Sequence, residues 1–336
     1  MDYARVGQSG LIVSRLALGS MNFGGPTPAD EARELMAAAL DAGITLFDTS
    51  NMYEDGASEE AMGAGLAKLK ARDSVVLSTK VYYRMGPGPN DFGAGRLHII
   101  KELEASLKRL QTDHLDLYYL HRPDFDTPLE ETVETMNQLV VSGKIRYWGV
   151  STFPSWRMAE AHWRADRRGW VPPICEQAPY NMLDRRVESE RFGFLREYGW
   201  GLLTWSSIAG GLLSGKYDLT AMENPPPGSR LEMLNERYRT RMGPRTLSTA
   251  QALADLFKEA GYDPVQFSTA WQLHQDPVTA AVIGPRNIEQ LNGYLGAIGL
   301  ELDADVLAEV DRIVPPGTAV ADFHDTADWY VGELNG

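Results

Sequence analysis

The sequence predicts an α/β protein in which eight parallel strands close into a (β/α)8 barrel, with one domain over residues 1–336. Short apolar runs alternate with longer amphipathic runs, and eight of the apolar runs have the length of strands. Both faces of these runs are largely apolar, which is typical of parallel strands covered by helices. Eight alternations favour a closed TIM barrel, and an open doubly wound sheet is the alternative.

The predicted strands follow one another along the chain. They are RLALGS (15–20), ITLFD (44–48), VVLSTK (75–80), LDLYYLH (115–121), IRYWGVS (145–151), ICEQ (174–177), GLLTW (201–205) and AAVIG (280–284). Ahead of the first strand, YARV and LIVS flank a glycine-containing turn at residues 7–10, which predicts an N-terminal β-hairpin. Segments 81–96, 206–245 and the tail from about 315 do not fit the alternation. Because long irregular segments in a compact domain are usually functional, we expect them to form active-site loops.

Between the strands, capping residues predict where helices begin and end. Thr27, Thr127 and Asp263 each precede a proline, and an acidic or amide residue follows three positions later. This pattern predicts side-chain caps with proline in the first helical turn. Glycines tolerate the left-handed conformation that stops a helix, and they stand shortly before three of the strands: Gly43, Gly143 and Gly199.

Composition limits the class of protein. The chain is 43% hydrophobic and 23% charged, as in ordinary globular domains, and its formal net charge of −14 argues against a nucleic-acid partner. Its single cysteine, Cys175, cannot form an internal disulfide, which suits a reducing compartment. No apolar run approaches the roughly 20 residues that span a bilayer, and no secretory signal is visible. We therefore expect a cytoplasmic protein without a membrane partner, and the sequence predicts no particular oligomeric state.

Three predicted strands end in polar residues that can take part in acid–base chemistry. Asp48 follows ITLF, Lys80 follows VVLST and His121 follows LDLYYL, while Tyr53 stands in the loop NMYEDG. In a (β/α)8 barrel, reactive groups lie where strands end and loops begin. Because the second, third and fourth strands are neighbours, we expect these side chains to converge at one mouth of the barrel.

The four residue types suit the donation of a proton to a carbonyl oxygen. A free phenol has a pKa of about 10, and a nearby ammonium group favours the phenolate. Lys80 can supply that charge beside Tyr53, and Asp48 can compensate the buried ammonium. His121 can donate a hydrogen bond that orients the carbonyl. Each residue alone is more often a cap, a solvated charge or a packing residue, so the prediction depends on their joint placement.

The segments GITLFDTSNMYEDGASEEAMG, VVLSTKVYY and LDLYYLHRPD resemble three signatures of the aldo-keto reductase superfamily, in order and at familiar separations. The similarity runs from LGSMNFG to VIGPRNIEQL and is closest to the aryl-alcohol-dehydrogenase and potassium-channel-β-like branches. The resemblance implies a catalytic tetrad of Asp48, Tyr53, Lys80 and His121. It also implies NADP(H)-dependent reduction of aldehydes or ketones to alcohols by hydride transfer. We expect the small-molecule carbonyl substrate to contact Tyr53, Tyr82 and His121.

The resemblance further implies how the nicotinamide end of the cofactor is bound. No G-x-G-x-x-G motif follows the first strand, which suits a family that binds its nucleotide without a Rossmann fold. GVST resembles the family's GVSN segment, so Ser151 and Gln177 are expected at the nicotinamide amide, and Thr152 replaces the usual Asn or Arg. Trp205 matches the aromatic residue that stacks on the nicotinamide ring. The remaining cofactor contacts expected near strand ends are Ser20, Met21, Asp48 and Gly284.

Two later segments are expected to contact the phosphates. Residues 210–216 nearly spell a phosphate-binding loop, but Tyr217 replaces the hydroxyl residue that binds magnesium, so nucleotide hydrolysis is rejected. The segment resembles the family's pyrophosphate-covering loop, with these candidate contacts: Ser206, Ile208, Gly211 and Lys216. In IGPRNIEQL, Arg286 matches the residue that binds the 2′-phosphate of NADP, which suits a guanidinium beside a helix start. Gln290 matches an adenosine contact, whereas Gly293 and Tyr294 replace the common Glu-Asn.

Two other functions are alternatives to the reductase. One is an NADPH-binding regulatory or scaffold protein of the same fold, against which the intact tetrad argues. The other is a metal-dependent hydrolase, which is disfavoured because the histidines show no H-x-H or H-E-x-x-H spacing; we predict no metal site. An apolar or aromatic-tolerant pocket is predicted by Tyr82, Tyr83, Met85, Trp205 and the aromatic residues of the tail. Aryl aldehydes, short aliphatic aldehydes, keto-sugars and pyridoxal all remain candidate substrates.

Overall fold

The protein is a closed barrel of eight strands preceded by a two-stranded hairpin, as seen in a computed structural model that describes residues 1–221, 223–227, 229–233 and 243–320. The strands are β1 (Tyr3–Arg5), β2 (Ile12–Ser14), β3 (Leu16–Gly19), β4 (Leu46–Asp48), β5 (Val76–Val81), β6 (Leu115–Leu120), β7 (Ile145–Ser151), β8 (Cys175–Pro179), β9 (Gly201–Trp205) and β10 (Val278–Ile283). In the barrel, neighbours follow the order β10-β3-β4-β5-β6-β7-β8-β9. The predicted (β/α)8 barrel is therefore confirmed, and the open sheet is excluded. The tail aromatics named above lie outside the described residues.

Helices connect the strands. They are α1 (Ala29–Asp41), α2 (Ala57–Leu69), α3 (Arg96–Arg109), α4 (Leu129–Val141), α5 (Ser155–Arg168), α6 (Arg191–Tyr198), α7 (Arg230–Met233), α8 (Pro244–Glu259), α9 (Pro264–His274), α10 (Ile288–Leu295) and α11 (Ala304–Ile313). Within the ranges that the structure describes, no helix combines the length and the apolar character needed to cross a membrane.

The barrel interior follows from the alternation of side chains along each strand, in which residues two positions apart share a face. Strand residues that pack together with two valines of the N-terminal segment form one buried apolar cluster: Val6, Val13, Ala17, Leu46, Leu117, Tyr119, Cys175, Leu203 and Ala280. Burial of this apolar surface is the main stabilising contribution to the barrel. The same alternation places Asp48 on the face of Leu46, and Gln177 on the face of Cys175. The inner face thus changes from apolar to polar toward the carboxyl ends of the strands.

Gly149 has no side chain, and the ring of the buried Tyr119 packs in the space that this leaves. An added Cβ there would lie 2.7 Å from Cys175 Sγ and 2.9 Å from the Tyr119 ring. Tyr119 is fully buried, and any larger residue at position 149 would displace it or the β8 backbone.

The N-terminal hairpin closes the amino end of the barrel. Strands β1 and β2 pair antiparallel, as predicted, and Val6 and Val13 belong to the apolar cluster. The backbone amide of Gln8 donates to the carbonyl of Gly199, just before β9 begins. Gly7 has a φ of +55°, and an added Cβ would lie 2.3 Å from the Gly199 oxygen, so glycine is required there.

The predicted helix caps are confirmed at one position and wrong at two. Asp263 caps α9, and its carboxylate accepts from the amides of Val265 and Gln266. Helices α1 and α4 instead have Pro28 and Pro128 at the capping position, without a side-chain cap. Because proline occupies that position itself, the preceding threonine falls one residue outside the helix and cannot reach its first amides. The hydroxyls of these threonines bond elsewhere, Thr27 with the carbonyl of Arg286 and Thr127 with Asp124.

The chain divides into two compact units. The first contains Met1–Ala178, Phe194–Leu203 and Pro277–Asn292, and therefore most of the barrel. The second contains Pro179–Gly193, Thr204–Asp276 and the chain from Gly293 onward. In the second unit, the rings of Phe257 on α8 and Phe267 on α9 stack with centroids 4.1 Å apart.

The α9 cap yields a first prediction. Asp263→Ala removes an exposed side chain and leaves no cavity, so it isolates the cap and should lower the free energy of unfolding by about 0.5–2 kcal/mol. Asp263→Asn keeps the acceptor oxygen and should stay close to the wild type. Urea denaturation of the three proteins measures the difference. An alanine variant as stable as the wild type would show that the cap contributes nothing.

Candidate active site

A polar layer lies above the apolar cluster, at the carboxyl ends of neighbouring strands. Asp48 ends β4, Lys80 lies near the end of β5, and His121 follows β6 directly. The register pairs Asp48 with Ser78, and Lys80 with Tyr119. The structure therefore brings together the strand-end residues that the sequence predicted to converge.

Asp48 and Lys80 form a buried ion pair. Lys80 Nζ lies 2.5 Å from Asp48 Oδ2, and neither residue is more than 2% exposed. Neutral groups also bond to both charged side chains. Ser78 Oγ donates to Asp48 Oδ1 over 2.6 Å, and Gln177 Nε2 donates to the same oxygen over 3.1 Å. Lys80 Nζ also donates to the carbonyl of Thr49 over 2.7 Å. A buried pair is tolerable only with such additional hydrogen bonds.

The net effect of these surroundings is to keep Lys80 charged. Burial works to lower the pKa of its ammonium, because the charged form loses its hydration. Interactions with Asp48 and Tyr53 oppose burial and outweigh it, so the pKa of Lys80 is raised above its ordinary value. The ammonium lies 5.1 Å from the centroid of the Tyr53 ring. A permanent positive charge is therefore placed beside the phenol.

A strained loop presents Tyr53, which is half-buried. After Tyr53, the chain passes through left-handed conformations at Glu54, Asp55 and Gly56, with φ values of 49°, 51° and 96°. Such conformations are unfavourable for residues other than glycine, and strain of this kind is found mostly at functional sites. Beneath the loop, Ser58 at the start of α2 bonds to the hydroxyls of Thr49 and Ser20. The loop is thus anchored at its base.

His121 is buried next to Tyr53. The two rings meet edge to face with centroids 5.9 Å apart, and the Tyr83 ring lies 5.1 Å from His121 in the same manner. His121 Nδ1 lies 3.0 Å from the Ser50 hydroxyl. Burial, followed by the charges of Arg122 and Lys80, lowers the pKa of His121 well below its ordinary value. The imidazole is therefore neutral at physiological pH, with one ring N–H to donate.

Ser151 and Gln177 lie side by side at the ends of β7 and β8, where they are register partners. The amide of Thr152 donates to the Gln177 carbonyl over 3.2 Å. Arg122 Nη1 donates to the Thr152 hydroxyl over 2.8 Å and to the His121 carbonyl over 2.7 Å. Hydroxyl and amide groups thus form a polar row beside Asp48.

Residues near β3 and β10 include the other predicted cofactor contacts of the first unit. Ser20 is buried and its hydroxyl bonds to Ser58, while Met21 is exposed. Gly284 is exposed, and an added Cβ there would meet nothing within 4 Å. Arg286 stands two residues before α10, and its backbone amide donates to Gln290 Oε1 over 2.9 Å.

The predicted pyrophosphate loop belongs to the second unit. It follows Trp205, and Ser206 is left-handed with a φ of 67°. Ile208 is half-buried, and a short turn at Ala209–Ser214 contains Gly211 with a φ of 102°. Lys216 is exposed, and its ammonium lies 4.9 Å from the Tyr217 ring. Residues 234–242 of the predicted irregular segment lie outside the described residues.

Sequence reasoning missed Ser78, Ser50 and Arg122. Ser78 stands two positions before Lys80, so strand alternation carried a signal that it shares the face of Lys80. Ser50 contacts His121, and Arg122 contacts Thr152, because in each case the ends of two strands lie close together in the barrel. A local sequence pattern does not encode such a distance. Tyr82, predicted to contact substrate, is buried against Tyr83 and Phe92, and Tyr83 is the aromatic residue that contacts His121.

Over the described ranges, no three His, Cys, Asp or Glu side chains gather in a way that could hold a metal ion. Asp48, Tyr53, Lys80 and His121 thus form one cluster of ionisable side chains at the carboxyl ends of the strands of a (β/α)8 barrel.

A family model described as the aldo/keto reductase family matches residues 15–315, and the chain belongs to that family. It is 38% identical over 327 residues to a Bacillus subtilis (strain 168) protein named uncharacterized oxidoreductase YrpG. The aligned region covers 94% of this chain and 97% of that relative. Two proteins named probable voltage-gated potassium channel subunit beta match over 321 residues with the same coverage, at 37% identity in Oryza sativa subsp. japonica and 36% in Arabidopsis thaliana. The predicted family and branch are confirmed, and they support an oxidoreductase role.

The buried His121 yields a second prediction. Its folded-state pKa lies below its unfolded value, so the unfolded chain gains a proton first as the pH falls. Stability contributed by neutral His121 is present above about pH 6.5 and is lost below it, by up to about 1.4 kcal/mol per pH unit. His121→Gln should therefore lose less stability than the wild type between pH 7 and pH 5.5. Denaturant unfolding at each pH gives the difference, and parallel curves for the two proteins would contradict it.

Proposed function

We propose that this chain is an NADPH-dependent reductase of aldehydes or ketones in which Tyr53 is the general acid. One observation carries the proposal: the half-buried Tyr53 phenol stands beside a buried, charged Lys80 and edge-to-face with a neutral His121. These groups are the ones that a carbonyl oxygen needs as it gains negative charge, namely a proton donor, a fixed cation and a hydrogen-bond donor.

In this proposal, Tyr53 donates its hydroxyl proton to the carbonyl oxygen of the substrate. Lys80 stabilises the phenolate that remains, through a charge 5.1 Å from the ring centroid. Asp48 holds the ammonium in place over 2.5 Å, so that Lys80 need not reorganise during the reaction. The reaction then ends with a phenolate that regains its proton from solvent.

His121 orients the carbonyl. A Ser50 hydroxyl that donates to Nδ1 leaves the hydrogen on Nε2, the ring nitrogen available to the substrate oxygen. A neutral imidazole donates a hydrogen bond without acting as a second acid. Tyr83 packs against the other side of His121 and fixes the ring plane. In this scheme Tyr83 is also the nearest aromatic wall for the substrate, and Tyr82 supports it from behind.

The residues present fit a nicotinamide nucleotide. Bound NADPH would supply the hydride, which no side chain can. Ser151 and Gln177, adjacent at two strand ends, offer the hydroxyl and amide groups that a carboxamide pairs with. Asn287 Oδ1 accepts from the Gln290 amide at the start of α10, and Arg286 stands just before that helix, so a guanidinium lies beside a helix start, a position that suits a phosphate contact. Further contacts are proposed from the family resemblance: Ser20, Met21, Asp48, Thr152, Trp205, Ser206, Ile208, Gly211, Lys216 and Gly284.

A second candidate function is an NADPH-binding regulatory or scaffold protein with little turnover. It is favoured by the rice and Arabidopsis relatives, which are named as potassium channel β subunits. The arrangement of Tyr53, Lys80 and His121 favours catalysis over that alternative. Consumption of NADPH across a panel of aryl aldehydes, aliphatic aldehydes, ketones and oxo-sugars separates the two. A cytoplasmic location and a single domain over residues 1–336 stay predictions.

The proposed acid yields a third prediction. Tyr53→Phe removes only the hydroxyl, so NADPH affinity should survive while aldehyde reduction falls by roughly 10²–10⁴, the usual range for general acid catalysis. Lys80→Met should cause a comparable loss, and the double variant should be little worse because the residues act as a unit. Tyr3→Phe is the matched control, since it deletes a hydroxyl of the N-terminal hairpin that donates to the Gly43 carbonyl and takes no part in the mechanism. Pre-steady-state measurement of the first turnover checks the chemical step, and near-normal rates in Tyr53→Phe would overturn the mechanism.

The cofactor yields a fourth prediction. If Arg286 contacts the 2′-phosphate, Arg286→Ala should weaken NADPH binding by roughly ten- to hundredfold, as expected for a lost charge-assisted hydrogen bond. Binding of NADH, which lacks that phosphate, should change little. Fluorescence titration of both nucleotides measures the two affinities. Equal affinities of the wild type for NADPH and NADH would remove the proposed cofactor preference.

A further inference from the structure

Thr152 has an unusual backbone conformation for its residue type. Its φ is +57°, in the left-handed region, although it is a β-branched residue and 4% exposed. Left-handed backbone is rare for β-branched residues, because Cβ approaches the adjacent carbonyl too closely. A conformation of this kind persists only where the surroundings enforce it. Thr152 therefore needs contacts that hold it in place.

Arg122 makes such contacts from the next strand end. Its Nη1 donates to the Thr152 hydroxyl over 2.8 Å, to the His121 carbonyl over 2.7 Å and to Ser151 Oγ over 3.5 Å. The guanidinium lies 5.6 Å from the centroid of the Tyr83 ring, which limits its movement. One side chain thus joins the end of β6 to the end of β7.

The turn at Thr152 also determines where two neighbouring side chains lie. Its amide donates to the Gln177 carbonyl over 3.2 Å, and Ser151 precedes it directly. Because φ of Thr152 sets the angle between the Ser151–Thr152 peptide and the chain that continues toward α5, a different φ would strain that peptide, its bond to Gln177 and the position of Ser151. These are the two residues proposed to pair with the nicotinamide carboxamide.

We propose that Arg122 is a positioning residue that holds Thr152 in its left-handed conformation and so aligns Ser151 and Gln177 for the cofactor. The inference rests on the proposed function, because it concerns the same nucleotide site. Asparagine adopts the left-handed conformation far more readily than threonine. The need for Arg122 is therefore tied to the threonine at position 152, and an asparagine there should remove much of it.

The test is a variant series measured by NADPH titration and by thermal unfolding of the free protein. Arg122→Met keeps the length of the side chain and removes the donors, and it should weaken NADPH by roughly tenfold or more. Thr152→Val keeps the β-branch and removes the hydroxyl that accepts from Arg122. It should therefore weaken NADPH binding by a similar factor. Thr152→Asn suits the left-handed backbone, so it should raise the unfolding temperature, and it provides the background in which the loss caused by Arg122→Met should be smaller. The double variant Arg122→Met with Thr152→Asn should recover most of the affinity that Arg122→Met loses.

The outcomes separate the inference from the proposed function. A wild type that binds no NADPH overturns the proposed function and the positioning role together. A wild type that binds, with Arg122→Met binding equally well, overturns only the positioning role. The same holds if the double variant binds as weakly as Arg122→Met, because Arg122 would then act without Thr152. If Arg122→Met does not fold, Thr152→Val decides: unchanged NADPH affinity in that variant overturns the inference.

Discussion

The buried ion pair between Asp48 and Lys80 is the constraint on which the rest of the site depends. Removing two charges from water is costly, and the pair persists because donors and acceptors from several strands complete its coordination. Asp48 belongs to β4, Lys80 to β5 and Gln177 to β8, so the pair is complete only when the barrel is closed. The polar layer is therefore complete only in the folded barrel. The ammonium is fixed before any substrate arrives.

The barrel could be predicted from the sequence because its strands are buried on both faces and separated by amphipathic runs. The bounds of β7 and β9 are those predicted, and the other barrel strands differ by at most two residues at either end. The convergence of Asp48, Tyr53, Lys80 and His121 could be predicted because each stands at a strand end or just beyond one. The failed caps at Thr27 and Thr127 show the limit of local pattern, since the same residues fit two helix starts that differ by one position.

The remaining features of the site depend on distances between strands. Ser50 reaches His121 across 71 positions, and Arg122 reaches Thr152 across 30. The left-handed conformation of Thr152 is contrary to the preference of threonine, so residue propensities would have predicted a different backbone conformation at this position. Departures from local preference at a site are expected, because geometry there is set by the surrounding fold rather than by the residue. Such departures are visible only in three dimensions.

The hairpin at the amino end of the barrel has a practical consequence for handling the protein. Met1 lies against Gly43, just before β4 begins, whereas Tyr53 and His121 lie past the carboxyl ends of their strands. A tether attached at Met1 would therefore leave the barrel from the side opposite the proposed substrate entrance. Immobilisation on a surface through that residue would keep the proposed active site directed toward bulk solution. Under the proposed function, the same geometry suits fusion to an enzyme that supplies or removes a diffusible carbonyl compound.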